Sequence, residues 1–125
     1  MRLWHYRLIP LLPRQQLLGQ HRECCALRGN GWGKKHSTVN YIFKYDPAYL
    51  VNYHCKVISE LERRGYSVDP AWKDNKYRGK NCEKYEYIVE VWDCEEYPEH
   101  DDRYLEECLA NLKTKGIAID KSHIL

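Results

Sequence analysis

Glu23 is the side chain in this sequence best placed to do acid–base work. It lies in Arg14-Gln-Gln-Leu-Leu-Gly-Gln-His-Arg-Glu-Cys-Cys25, a stretch that reads as one helix some dozen residues after the free amino terminus. At about 100° per residue, Leu17, Leu18, Cys24 and Cys25 share one arc, and Gln16, Gly19, Gln20, Glu23 and Ala26 fall roughly opposite. A glycine inside a helix costs about 1 kcal/mol relative to alanine, and Gly19 stands one turn before Glu23. The missing side chain would let another backbone or a ligand come close to the carboxylate. A carboxylate beside a cleared patch, on a helix whose far side is apolar, is a place to look for general acid–base chemistry. The competing reading is a solvated glutamate on an amphipathic helix with a packing glycine.

Two other groupings could carry chemistry. Gly29-Asn30-Gly31-Trp32-Gly33 leads into Lys34, Lys35 and His36. Such a loop can bring backbone N–H groups and cations to a phosphate, but it holds no Walker or dinucleotide fingerprint and reads equally well as a solvated turn. The six cysteines follow no CxxC or secreted-scaffold spacing, and Cys24 and Cys25 are adjacent. They read as reduced thiols of a cytoplasmic protein. His21, Cys24, Cys25, His54 and Cys55 show no recognised ligand spacing, so neither a metal nor a cofactor is expected.

The elements that must position these residues are mostly helices. The Glu23 helix starts near Leu12–Arg14, with Pro13 tolerated in its first turn, and ends near Arg28, where the glycines begin. A second helix runs from an Asp46 cap and Pro47 to a glycine stop at Gly65, with Leu50, Val51, Val57, Ile58 and Leu61 as its buried stripe. Arg63 and Arg64 fall in its last turn, where the helix dipole favours cations. A third is capped by Asp101 or Asp102, carries Leu105, Cys108, Leu109 and Leu112 inward, and stops at Gly116. Lys113 and Lys115 fall in its final turn. Residues 2–9 read as extended or irregular and are closed by Pro10. Asp69-Pro70 and Lys73–Lys80 read as loop. Tyr85–Trp92 is aromatic and β-branched, a candidate short strand whose only good partner is Leu3–Leu8. The expected fold is mainly α: a compact three-helix single domain over residues 1–125, with long irregular connections and room for one short strand pair.

The chain is long enough for one domain with its own core, and 43% hydrophobic with 30% charged residues fits a globular protein. No apolar run is long enough to span a membrane, and the amino terminus lacks a signal-peptide core. Eleven Tyr and four Trp against one Phe suit wet clefts as well as cores. The net charge of +2 is unevenly spread: residues 1–65 balance at +7 and residues 66–125 at −5. A basic first half suits a phosphate-bearing partner, with the acidic half facing elsewhere, unless folding mixes the two.

Met1-Arg-Leu-Trp4, Arg14-Gln15 through Arg22-Glu23, the glycine loop before His36, Tyr45-Asp46, the ending Arg63-Arg64-Gly65-Tyr66 and Tyr97-Pro98-Glu99-His100 together resemble the pyrimidine-dimer DNA glycosylases, the phage endonuclease V and its bacterial relatives. The resemblance covers most of the chain and is weakest over 67–96. It rests on the order and spacing of these stretches, since no single motif is specific. It implies base excision coupled to strand cleavage: the amino-terminal amine attacks the sugar C1′ of the damaged nucleotide, and β-elimination follows from the Schiff base. It makes Glu23 the helix carboxylate that assists, and Arg22 a DNA contact. The partner implied is double-stranded DNA carrying damaged or abasic nucleotides, bound by a monomer.

This chain departs from the family pattern. Arg2 is a bulky second residue of a kind that normally prevents removal of the initiator, so the nucleophile would be the Met1 amine, displaced by one residue. Leu3 and Ala26 stand at family positions that contact DNA through basic side chains, Gln16 replaces a histidine, and the aromatic-basic tail has no counterpart. The expected DNA contacts are Arg2, Arg22, Lys34, Lys35, His36, Lys113 and Lys115. Two rivals stay open: a non-catalytic nucleic-acid-binding relative, and an interaction module using the acidic stretch Asp93–Glu107.

Overall fold

Each long helix forms where local sequence starts and stops it. In the computed structural model, which describes residues 2–29, 38–86 and 95–125, these are α1 (Arg14–Arg28), α2 (Pro47–Arg63) and α3 (Asp102–Thr114). The Asp46 carboxylate accepts the Ala48 N–H at 2.9 Å, with Pro47 first in α2. Asp101 accepts the Tyr104 N–H at 2.8 Å at the head of α3. Both helices end in the same way. Gly65 and Gly116 take φ of +93° and +79°, which only glycine adopts without strain. The following N–H groups of Tyr66 and Ile117 then reach back to the Leu61 and Leu112 carbonyls, both at 3.0 Å.

α1 ends differently. Its last carbonyls are taken from a distance, with Arg78 Nε donating to Arg28 O at 2.8 Å and Arg78 Nη2 to Gly29 O at 3.1 Å. Its start at Arg14 falls within the expected Leu12–Arg14, with Pro13 at the cap rather than in the first turn.

The stripes of α2 and α3 meet α1 in one core that includes Leu17, Cys24, Leu27, Val57, Leu61, Leu105, Cys108 and Leu112. Leu3, Trp4, Leu8, Ile9 and Leu12 join it from the opening segment. That segment corrects the strand expectation. Tyr6–Leu11 is a 3₁₀ helix with Pro10 inside it, so Leu3–Leu8 cannot offer a strand edge. The Arg64 guanidinium pins its end by donating to Pro10 O at 3.1 Å. Most of the proposed strand Tyr85–Trp92 lies outside the described residues; among those described there is no strand. Pro70 and Lys73, both expected in loop, belong to a 3₁₀ turn, Pro70–Lys73, capped by Asp69.

The arc expected on α1 also needs correction. Gln20 was assigned to the side away from the core, and it is buried, as is Arg28. Arg28 donates to the Trp72 and Asp74 carbonyls at 3.0 and 2.7 Å, tying the Pro70–Lys73 turn to α1. Charge segregation by halves does not survive folding. Arg2 pairs with Glu107, Arg7 with Asp102, Lys44 with Glu99 and Lys56 with Glu96, each joining the basic half to the acidic one. Glu106 pairs with Lys121. The acidic stretch is thus largely matched inside the chain.

Candidate active site

Glu23 sits halfway along the open side of α1, half-buried, at the edge of a cavity of about 270 Å³. Arg2, Trp4, Thr38, Asn111 and Lys115 line the rest, so the cavity is built from the opening segment, the residues just before a 3₁₀ helix at Asn40–Lys44, and the end of α3. Burial pushes the Glu23 carboxyl above its ordinary value, against the opposing pull of the Gln20 amide and the Arg22 charge. A carboxylate in this state holds a proton more readily than a solvated one.

The opening segment is held there through its backbone, by one side chain from each helix. From α1, Gln20 Nε2 donates to the Arg2 carbonyl at 3.1 Å and to Glu23 Oε2 at 2.8 Å, and its Oε1 accepts the Trp4 N–H at 2.7 Å. From α2, the buried Tyr53 hydroxyl lies 2.6 Å from the Trp4 carbonyl and 2.9 Å from Gln20 Oε1, sharing its one proton between them. From α3, Tyr104 donates its hydroxyl to the Leu3 carbonyl. Below this strap, the buried His100 accepts the Tyr6 N–H at Nδ1, 3.3 Å away, and donates from Nε2 to the Tyr41 oxygen at 2.6 Å. Burial pushes its pKa down to about 3, so it stays neutral.

The expected site residues separate into groups. Glu23, Arg2 and Lys115 come together at the cavity. Arg2 is also engaged elsewhere, donating to Glu107 at 3.2 Å with its guanidinium 5.6 Å from the Tyr104 ring centroid. Arg22 is exposed beside Glu23. Lys113 lines a separate cleft with Glu106, Ile117 and Lys121. Met1, Lys34, Lys35 and His36 lie outside the described residues. Gly19 clears no space that the fold uses: a Cβ there would meet only Arg22 Nη2, at an ordinary 3.8 Å. Gln20, Tyr53, Trp4, Thr38 and Asn111 were not anticipated. For two of them a signal existed. Gln20 is three residues before Glu23, hence its neighbour on the helix, and Tyr53 is a hydroxyl inside an apolar stripe, where it needs a buried partner.

His21 and Cys25, one turn apart on α1, meet His54 of α2. His21 Nδ1 is 2.8 Å from His54 Nε2, and Cys25 Sγ is 3.8–3.9 Å from the imidazole nitrogens. These three could in principle hold a metal ion. The buried Arg28 argues against it, because Nη1 donates to His54 Nδ1 at 3.0 Å. That leaves the His54 proton on Nε2, aimed at His21 Nδ1. A ligating His54 would need its N–H on the nitrogen facing the guanidinium. Burial pushes the Cys25 thiol up to about 11, despite the nearby Arg28 charge, and the His54 imidazole down to about 2. The group is a neutral hydrogen-bonded chain.

A small helical domain that straps its first residues beside a half-buried carboxylate is the class of protein defined so far. A family model for pyrimidine dimer DNA glycosylases matches residues 1–74, a span that includes α1, α2 and the whole strap except Tyr104. The chain belongs to that family of DNA repair glycosylases. No curated protein and no solved structure matches it significantly.

Proposed function

We propose that this protein is a DNA glycosylase with AP lyase activity, working through the amino-terminal amine with Glu23. The observation that carries the reading is the Gln20 bridge, which joins the Arg2 carbonyl to the Glu23 carboxylate through one nitrogen. The amine of the preceding residue is covalently tied to that backbone, within a few ångströms by chain geometry alone. An α-amine has an ordinary pKa of about 7.7–8.0, so a useful fraction is neutral near neutral pH and needs no metal to act as nucleophile.

In the proposed reaction the amine nitrogen bonds to C1′ of the damaged nucleotide as the base departs with the bonding pair. Transfer of an amine proton to the ring oxygen breaks its bond to C1′, opening the sugar as a free hydroxyl and giving the iminium. Removal of a C2′ proton then expels the 3′ phosphate. Glu23 stabilises the cationic intermediate and moves protons, a role worth about 10²–10⁴-fold in rate. Arg22 and Lys115 supply charge for the phosphates on either side. The nucleotide must leave the duplex stack to be reached.

Borohydride trapping on an abasic duplex tests this directly: a covalent adduct at residue 1 is expected. Binding without any trapped adduct would leave a DNA-binding relative that does no chemistry.

A further inference from the structure

We propose that Gln20 is a positioning residue for the site, fixing the direction of the Glu23 carboxylate relative to the beginning of the chain. The proposal rests on the lyase reading, in which those two are the reacting partners. Gln20 is 1% exposed, and its carboxamide is enclosed by hydrogen-bonding groups of both kinds. Its oxygen faces the Trp4 N–H and the Tyr53 hydroxyl; its nitrogen faces the Arg2 carbonyl and Glu23 Oε2. Turning the amide over would set its N–H groups against the Trp4 N–H and its oxygen against two other oxygens, so one orientation is selected.

No other side chain of this length is both acceptor and double donor. Glutamate would oppose Glu23 with a second carboxylate, and leucine or methionine would strand the Trp4 N–H. The amide plane holds the two N–H directions at a constant angle. The carboxylate and the opening backbone are therefore oriented by the same rigid group. Glu23 Oε2 is occupied by this bond, and Oε1 has no hydrogen bond among the described residues. Without Gln20 the Glu23 side chain, on a half-exposed helix face, would be free to change rotamer. A misplacement of about 1 Å in a reacting group can cost about 10²-fold in rate.

Two variants test this: Gln20→Met, which removes both functions, and Gln20→Glu, which keeps the acceptors and replaces the donors by an oxygen. The readouts are kcat and KM on an abasic duplex, and the titration of the Glu23 carboxyl carbon by NMR in the free protein. Gln20→Met is expected to lower kcat by about tenfold or more with KM within about twofold. Its Glu23 carboxyl is expected to titrate higher than in the wild type, having lost an N–H donor to its ionised form. In Gln20→Glu the two carboxyls are expected to share a proton and titrate in two separated steps.

A folded Gln20→Met with wild-type kcat and wild-type carboxyl titration would overturn the proposal. Where Gln20→Met does not fold, Gln20→Glu decides, and a single unshifted Glu23 titration overturns it. The titration needs no substrate. A wild-type protein without a trappable adduct would therefore sink the lyase reading while the hold of Gln20 on Glu23 is still measured.

Discussion

Glu23 combines two properties that pull in opposite directions. Burial raises its pKa above the ordinary 4.5, so the ionised form at neutral pH costs the fold stability. Because the folded value lies above the unfolded one, the contribution is fullest below about pH 4.5 and is lost as pH rises through the folded pKa. Glu23→Gln keeps an oxygen for the Gln20 N–H and removes the charge. It is expected to abolish strand cleavage, leave duplex affinity within about twofold, and leave the thermal midpoint at pH 7.5 equal or higher. Parallel loss of cleavage, binding and stability would make Glu23 a structural residue. On the reaction side, the acid limb of the rate–pH profile is expected above the pH where a solvated glutamate titrates, and Glu23→Asp should move it.

Among the elements, α1 carries the site and is the one whose sides could not be read from sequence. α2 and α3 were legible because their signals are local: an Asp cap, an apolar stripe, and a glycine whose positive φ closes the last turn. α1 buries Gln20 and Arg28, polar residues whose partners Arg2, Trp4, Tyr53, Trp72 and Asp74 are far away in sequence. No periodicity of apolar residues reports such burial. Glu23 was legible by resemblance and by its place on a polar arc; the cavity around it was not, because Asn111 and Thr38 arrive from elements with no shared motif. Gly19 tests what the open arc is for. With space for a Cβ and no positive φ, Gly19→Ala is expected to stabilise the fold by up to about 1 kcal/mol, seen in urea unfolding. A simultaneous drop in duplex affinity would identify this surface as one that DNA approaches.

For the molecule as a whole, charge pairing leaves few cations around the Glu23 cavity free for a ligand. Of the cations expected to meet DNA, among the described residues Arg2 pairs with Glu107, whereas Arg22, Lys113 and Lys115 have no ion-pair partner, and Lys113 faces a different cleft. Duplex affinity should therefore fall only moderately with salt, and Arg22→Ala should reduce the slope of log K against log salt by about 1. An unchanged slope would take Arg22 out of the phosphate contacts. The buried imidazoles set the acid limit of the fold. Burial lowers the pKa of His5, His21, His54 and His100, the last two to about 2 and about 3. Folded values below unfolded ones mean stability that is full above about pH 6.5 and lost as pH falls. Between pH 6 and 4, unfolding free energy should drop by up to about 1.4 kcal/mol per pH unit for each of His54 and His100. A flat profile over that range would mean these rings carry protons in the native state.

The three-helix strap grips the carbonyls of Arg2, Leu3 and Trp4 and one N–H, and none of those bonds depends on which side chains those positions carry. Position 2, unlike the buried Leu3 and Trp4, is thus open to rewriting at the expense of the Arg2–Glu107 pair and the Tyr104 ring contact alone. Replacing Arg2 by serine, small enough for the initiator to be trimmed, would slide the terminal nitrogen back by one residue along an anchored track. Laboratory evolution could then tune the reach of the proposed nucleophile separately from the stability of the protein that carries it.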